Sequence, residues 1–169
     1  FTSDKNNTTP LTERAEIDRW IISKLNTLTD EVATAFNEYE PTRAARLMED
    51  YVIEHLSNWY VRLCRRRFWG NELSKDKRAA FETLFECLQS VAQLMSPIAP
   101  FFSDWLWQNL LATSESVHLS YLKDVNKNEI DATLEQRMEW AQEISSLVLS
   151  LRKKTKIKVR QPLQKILIP

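Results

Sequence analysis

The sequence predicts an all-α protein: an antiparallel bundle of about five helices with a short extended segment at its C-terminal end. Three observations carry this prediction. Among 169 residues there is one glycine, Gly70, and there are six prolines. That is too few turn residues for a sandwich or barrel of many short strands. Apolar residues make up 43% of the chain, enough to build a core. Over long stretches they recur every three or four positions, the period of a helix with one buried face.

Residues 1–10 are polar and read as a linker. The first helix starts at Thr12, a suitable N-cap, with Glu13 and Glu16 placed at the positive end of the helix dipole. Its stripe is Ile17, Trp20, Ile21, Leu25, Leu28, Val32 and Phe36, and Pro41 ends it near Tyr39. Pro41 then suits the first turn of a second helix, predicted to reach Trp69 with Gly70 as a left-handed C-cap. At about 100° per residue its core stripe is Ala45, Met48, Val52, Leu56, Trp59 and Leu63. A second stripe, Ile53, Tyr60, Cys64 and Phe68, implies more than one neighbour.

The third helix starts by Ser74 and turns Phe81, Leu84, Leu88, Val91 and Leu94 to one side before Pro97. Pro97 and Pro100 make a corner into a short fourth helix with Phe101, Phe102, Trp105, Leu106 and Leu110. Residues 113–128 are turn-like, and a fifth helix begins near Asp131 with Leu134, Met138, Val148 and Leu151 on one face. Beyond Thr155 the period changes: Lys156, Lys158 and Arg160 alternate with Ile157 and Val159, a strand pattern. The apolar run at 166–168 meets the last residue in mid-element, so the sequence reads as a segment of a longer protein. The expected division is a linker at 1–10, a helical domain at 11–155, and the truncated start of a following element at 156–169.

Composition excludes several chemistries. A nucleotide-binding phosphate loop needs clustered glycines. Cys64 and Cys87 have no partners at zinc-ligand spacing, and His55 and His118 stand far apart. Both histidines read as structural residues. No nucleophile has a base beside it, so no catalytic residue and no metal ligand is assigned. No run approaches the roughly 20 apolar residues of a membrane span. Two unpaired-looking cysteines suit a reducing cytoplasm, and the expected state is a monomer.

The formal net charge of zero hides a segregation. Arg62, Arg65, Arg66 and Arg67 stand together without an acid, as do Arg152, Lys153, Lys154, Lys156, Lys158 and Arg160. These stretches hold ten of the 23 basic residues, leaving 13 basic against 23 acidic elsewhere. Concentrated positive charge on an acidic body suits a phosphate-bearing partner met at a defined place. On the second helix, Asn58, Arg62, Arg65 and Trp69 share one side, with Arg66 beside them, and Arg67 of the same run completes the candidate RNA-binding set. Arginine forks match phosphate, and an indole face accepts an unstacked base. A bland alternative is an arginine-rich helix end that complements the dipole. Lys153, Lys154, Lys156, Lys158 and Arg160 form a second candidate phosphate track, or a lysine-protected strand edge.

The run Asn58-Trp59-Tyr60-Val61-Arg62, followed by Arg65-Arg66-Arg67-Phe68-Trp69, resembles the signature helix of isoleucyl-tRNA synthetases. Asp18-Arg19-Trp20-Ile21, Ser116-Val117-His118-Leu119 and Ile157-Lys158-Val159-Arg160-Gln161-Pro162-Leu163 stand in matching order. The resemblance covers roughly residues 16–167. It implies the α-helical anticodon-binding domain of a class I enzyme, docking on the anticodon stem and loop of isoleucine tRNA. It also implies a separate catalytic domain in the same chain that uses ATP and magnesium, so no cofactor is expected in this segment. Neither the HIGH nor the KMSKS motif of that catalytic domain occurs here, and ligation by this segment alone is not expected. Two other readings remain: a helical RNA-binding module without anticodon preference, and a structural adapter that touches no RNA.

Overall fold

The computed structural model describes residues 8–70 and 72–165. The expected linker residues 1–7 and the apolar run at 166–169 lie outside the described residues. Among the described residues there are six α-helices: α1 (Glu16–Asn37), α2 (Pro41–Asp50), α3 (Arg62–Trp69), α4 (Lys75–Met95), α5 (Pro100–Leu111) and α6 (Ala132–Lys154). A π-helical segment, Tyr51–Val61, joins α2 to α3, so residues 41–69 form one continuous rod. Counted as rods, there are five. Among the described residues none is in a strand, and no helix is long and apolar enough to cross a membrane. The chain divides into two compact units, one ending at Asp131 and one beginning at Ala132.

In the first unit α1 packs against α2, the π segment and α4, and α4 packs against α5. A short turn at Tyr39 folds the rod back along α1. Tyr39 takes a left-handed φ of 57°, and the Glu40 amide closes the turn onto the Ala35 carbonyl at 2.8 Å. Among the described residues the left-handed positions are Tyr39, Ala112 and Lys156, not Gly70, whose φ of −58° and ψ of 147° are extended.

The start of α1 also differs from expectation. Leu11–Glu13 is a 3₁₀ turn, and the N-cap is Ala15 with no side-chain hydrogen bond. What organises this end is Arg14, which is buried. Its guanidinium donates to the Thr9 carbonyl (2.9 Å), Thr83 Oγ1 (3.0 Å) and Glu86 Oε1 (2.8 Å). The Thr9 amide donates to Glu82 Oε2 at 2.9 Å, so the lead-in is tied to α4 at Thr9. α4 starts beside Ser74, as the sequence predicts, and Ser74 Oγ caps it by accepting from the Lys77 amide at 3.1 Å.

The expected core stripe of the rod is displaced. Its buried residues are Ala44, Met48, Tyr51, Leu56, Tyr60 and Cys64, whereas Trp59 is half-buried and Leu63 is exposed. The step of five from Tyr51 to Leu56 marks the cause. In the π segment the backbone bonds span five residues, so each residue advances by less than in an α-helix. Residues that fall inward at α-helical spacing arrive outside, and the second stripe, Tyr60 and Cys64, becomes core.

On α4 the closest-packed face is Ala80, Thr83, Cys87 and Val91, with Phe81, Leu84 and Leu88 half-buried. Two of these small residues meet the rod, the Ala80 carbonyl at the Tyr60 hydroxyl (3.1 Å) and Cys87 Sγ at the Tyr51 hydroxyl (3.3 Å). α5 turns Ser103 and Trp107 inward and leaves Phe101 and Trp105 exposed. Trp107 packs with Ala92 and Val117 in a smaller cluster. His118 is exposed rather than structural, and His55 lies half-buried with its ring edge-on to Trp20 at 5.8 Å.

Four buried acidic groups in the first unit are held protonated. Burial pushes the Cys87 thiol up from 9.0 to about 12. Burial also raises Cys64, with the Arg67 guanidinium opposing, and raises Tyr51 and Tyr60. The unfolded thiol begins to lose its proton near 9.0 while folded Cys87 keeps it up to about 12. Across that window the unfolded chain binds fewer protons, so stability is full below it and falls as pH rises. Urea melts from pH 8 to 10.5 are expected to show a loss approaching about 1.4 kcal/mol per pH unit from Cys87 alone. Cys87→Ala should remove that part of the slope.

The second unit is α6 with the loop that follows it. Trp140, Leu147, Leu149 and Leu151 on α6 are exposed. The alternating stretch 156–160 is not a strand. The Ile157 amide reaches back to the Arg152 carbonyl at 2.9 Å around left-handed Lys156, a helix C-cap. Arg152 Nη1 then gathers the carbonyls of Lys158 (2.7 Å), Val159 (3.2 Å) and Gln161 (3.0 Å). Those carbonyls are satisfied by a guanidinium, not by a neighbouring strand.

Candidate nucleic-acid interface

The π segment decides which arginines face outward. After it, α3 presents Arg62, Arg65, Arg66 and Trp69 to solvent, and Asn58 is exposed one turn earlier. Arg65 lies over the Trp69 ring, its guanidinium carbon 5.4 Å from the ring centroid. That cation–π contact holds a cationic plane against an indole that is itself 76% exposed. Asn58 Nδ2 donates weakly to Glu54 Oε2 at 3.4 Å. Five of the six residues singled out on this helix thus form one exposed ridge.

Arg67 is the exception. Its guanidinium is turned inward and all three nitrogens are engaged. Nη1 and Nη2 donate to Asp18 Oδ1 and Oδ2 at 2.8 and 2.7 Å. Nε and Nη2 donate to Asp76 Oδ2 and Oδ1 at 2.9 and 2.8 Å. Nη1 also lies 3.4 Å from Cys64 Sγ, and Nη2 lies 3.1 Å from the Asp76 carbonyl. The two carboxylates, Asp18 foremost, hold Arg67 charged by pushing its already high pKa further up. With its fork filled by two carboxylates, this side chain has no donor to offer a phosphate.

The same carboxylate takes a second bond. The fully buried Tyr60 hydroxyl donates to Asp18 Oδ1 at 2.7 Å, with the Ala80 carbonyl 3.1 Å away. Asp18, Tyr60, Arg67 and Asp76 form one network across α1, the rod and α4. A sequence signal for Asp18 existed: it lies in phase with Ile21, Leu25, Leu28 and Val32 on the apolar face of α1. A carboxylate in that phase needs a buried partner.

The second basic set belongs to the other unit. Lys153 and Lys154 close α6, and Lys156, Lys158 and Arg160 follow in the loop; all five are exposed. They form a cationic cluster, though not along one strand face.

The fold and this ridge define an all-α bundle with an acid-poor arginine face ending in an exposed indole. The chain belongs to the anticodon-binding domain family of tRNA ligases, whose family model matches residues 18–167. Among similar curated proteins, an isoleucine–tRNA ligase of Bacteroides fragilis is 53% identical over 165 residues, covering 95% of this chain and 14% of that protein. That of Cytophaga hutchinsonii is 54% identical over 165 residues, covering 95% and 15%. That of Thermus thermophilus is 39% identical over 170 residues, covering 98% and 16%. The chain therefore spans about one-seventh of the length of these relatives.

Proposed function

We propose that this chain holds the anticodon stem and loop of isoleucine tRNA on behalf of a longer isoleucine–tRNA ligase. The observation that carries the reading is the exposed ridge of Arg62, Arg65 and Arg66 ending at Trp69. Arginines of this kind position a phosphate backbone and carry no sequence information, whereas an exposed indole can stack on an unpaired base. Asn58 adds an amide beside them, and Lys153, Lys154, Lys156, Lys158 and Arg160 supply further positive charge. Arg67 is left out of the contact set, because two carboxylates occupy it. The ligation itself, with ATP and magnesium, belongs to a catalytic domain of the parent polypeptide in the cytoplasm. This chain works as one copy beside that domain and needs no cofactor of its own. It lacks the motifs that bind ATP, so it is expected to give no isoleucine-dependent pyrophosphate exchange; measurable exchange in a clean preparation would refute this.

The test is a salt-titrated binding assay with isoleucine tRNA and a mismatched tRNA. Replacing Arg62 and Arg65 together by Gln is expected to weaken both RNAs alike and to lower the salt slope by roughly 0.7–0.9 per lost phosphate contact. Trp69→Ala is expected to cost about 1–3 kcal/mol if the ring stacks on a base, with the slope almost unchanged. A double arginine variant, still folded by circular dichroism, that keeps both affinity and slope would favour the structural adapter. Equal affinity of the unsubstituted chain for both tRNAs would favour the general RNA-binding module.

A further inference from the structure

We propose that Asp18, Arg67 and Asp76 act as a positioning clamp that sets the direction in which the Arg62–Trp69 ridge meets its RNA. The inference rests on the proposed function and adds to it three residues that touch no nucleotide.

The geometry points this way for three reasons. First, the clamp joins three helix ends. Arg67 lies in the last turn of α3, Asp18 in the first turn of α1 and Asp76 in the first turn of α4. α3 has only eight residues, and its exposed side chains Arg62, Arg65, Arg66 and Trp69 bracket Arg67. Its packing on α4 through Phe68, whose ring meets Phe81 at 5.2 Å, leaves the charged grip on Arg67 to fix the direction of its last turn. Second, the segment upstream is π-helical over eleven residues, a geometry that persists where surrounding structure supports it. A rod of this kind needs its far end pinned if the ridge is to keep one orientation. Third, the clamp uses the full fork. Each nitrogen of Arg67 has an acceptor, and Asp18, with its side chain fully buried, is matched by both terminal nitrogens. A lysine cannot reproduce that planar two-sided match. A neighbouring tether, Lys77 Nζ to the Gly70 carbonyl, fixes the turn beyond the ridge to α4. Pre-organising the ridge in this way spares the ordering cost on binding.

The test uses the sign of an effect. Asp76 is 59% exposed at its side chain, so Asp76→Asn is a mild change that leaves the buried Asp18 arm in place. It removes a negative charge close to the ridge. If the ridge's orientation did not depend on the clamp, or if Arg67 were itself a phosphate ligand, losing that charge would tighten RNA binding. The clamp predicts the reverse: isoleucine tRNA binds about tenfold more weakly, with the salt slope unchanged because no phosphate contact is lost. Asp76→Glu, which restores a carboxylate, should recover affinity in part. Arg67→Lys, which keeps the charge and loses the fork, should weaken binding as Asp76→Asn does. Each variant is compared at a temperature where circular dichroism shows it folded. Unchanged or tighter binding by Asp76→Asn would overturn the clamp while leaving the proposed function intact. Failure of the unsubstituted chain to bind isoleucine tRNA would overturn the proposed function, and this inference with it.

Discussion

Asp18→Ala is expected to cost the fold about 3–5 kcal/mol, a large share of the stability of a domain this size. The Asp18 side chain is fully buried and that of Arg67 is 16% exposed. Removing the carboxylate leaves a guanidinium in a largely water-free place with only Asp76 to answer it. It also takes from the buried Tyr60 hydroxyl its 2.7 Å acceptor. Truncating one partner of such a pair is costly because the other charge stays behind. Replacing both partners at once should therefore cost less than the two single changes added together. A double-mutant cycle of Asp18→Ala with Arg67→Met, read by urea denaturation, is expected to show a coupling of about 1–3 kcal/mol. Tyr60→Phe should lose less, about 1–2 kcal/mol, since it removes one hydrogen bond and no charge. A cost below 1 kcal/mol for Asp18→Ala would mean that water reaches the pair and that the network contributes little.

Trp20→Ala is expected to cost a similar amount, about 3–5 kcal/mol, by leaving a cavity at the centre of the first unit. Trp20 is 1% exposed, beside Ile21, and its indole meets the His55 ring edge-on. The informative comparison is Trp59→Ala. At α-helical spacing Trp59 is a core residue and its loss should match that of Trp20. In the π-helical rod it is only half-buried, and its loss should be nearer about 1–2 kcal/mol, in proportion to the area it hides. Equal costs for the two tryptophans, measured by denaturant unfolding, would restore the α-helical register and with it Trp59 as a core residue.

Why the register escaped the sequence is a matter of arithmetic along a helix. Each residue of Tyr51–Val61 is compatible with an α-helix, and nothing in its side chains announces an i→i+5 bond. The angular error accumulates over eleven residues, so the assignment is sound at Met48 and fails at Trp59 and Leu63. Arg67 is a separate matter: within α3 it already lies across the helix from Arg62, Arg65 and Trp69 at about 100° per residue, and the fold turns that side inward. Its partners are 49 and nine residues away along the chain. No local pattern could pair it with Asp18, although an acid on the apolar face of α1 was a sign that some cation would be needed there.

Residues 156–160 show a different failure. Alternating Lys and Ile or Val is a necessary pattern for a half-buried strand but not a sufficient one, since a strand requires a neighbour for its backbone. Here the carbonyls of Lys158, Val159 and Gln161 find Arg152 instead. Gly70 makes the same point in small. A lone glycine after a helix invites a left-handed cap, but that conformation falls on Tyr39, Ala112 and Lys156, where the turn geometry demands it whatever the residue.

What the sequence by itself determined was local or compositional. The scarcity of glycine and the three-to-four spacing of apolar residues dictated helices. Pro41, Ser74 and Pro100 dictated where rods begin, because proline lacks a donor and serine supplies an acceptor at the first turn. The acid-free arginines marked a basic stretch, three of whose four members are exposed, and the ordered motifs marked the family. The tertiary structure alone decided how the rod turns along its length, that a small-residue face of α4 is the buried one, and which of four neighbouring arginines is spent on the fold. Those outcomes depend on contacts between residues far apart in the chain. A buried charge takes the partner that packing brings within reach, and the amino-acid order alone does not specify which one that is.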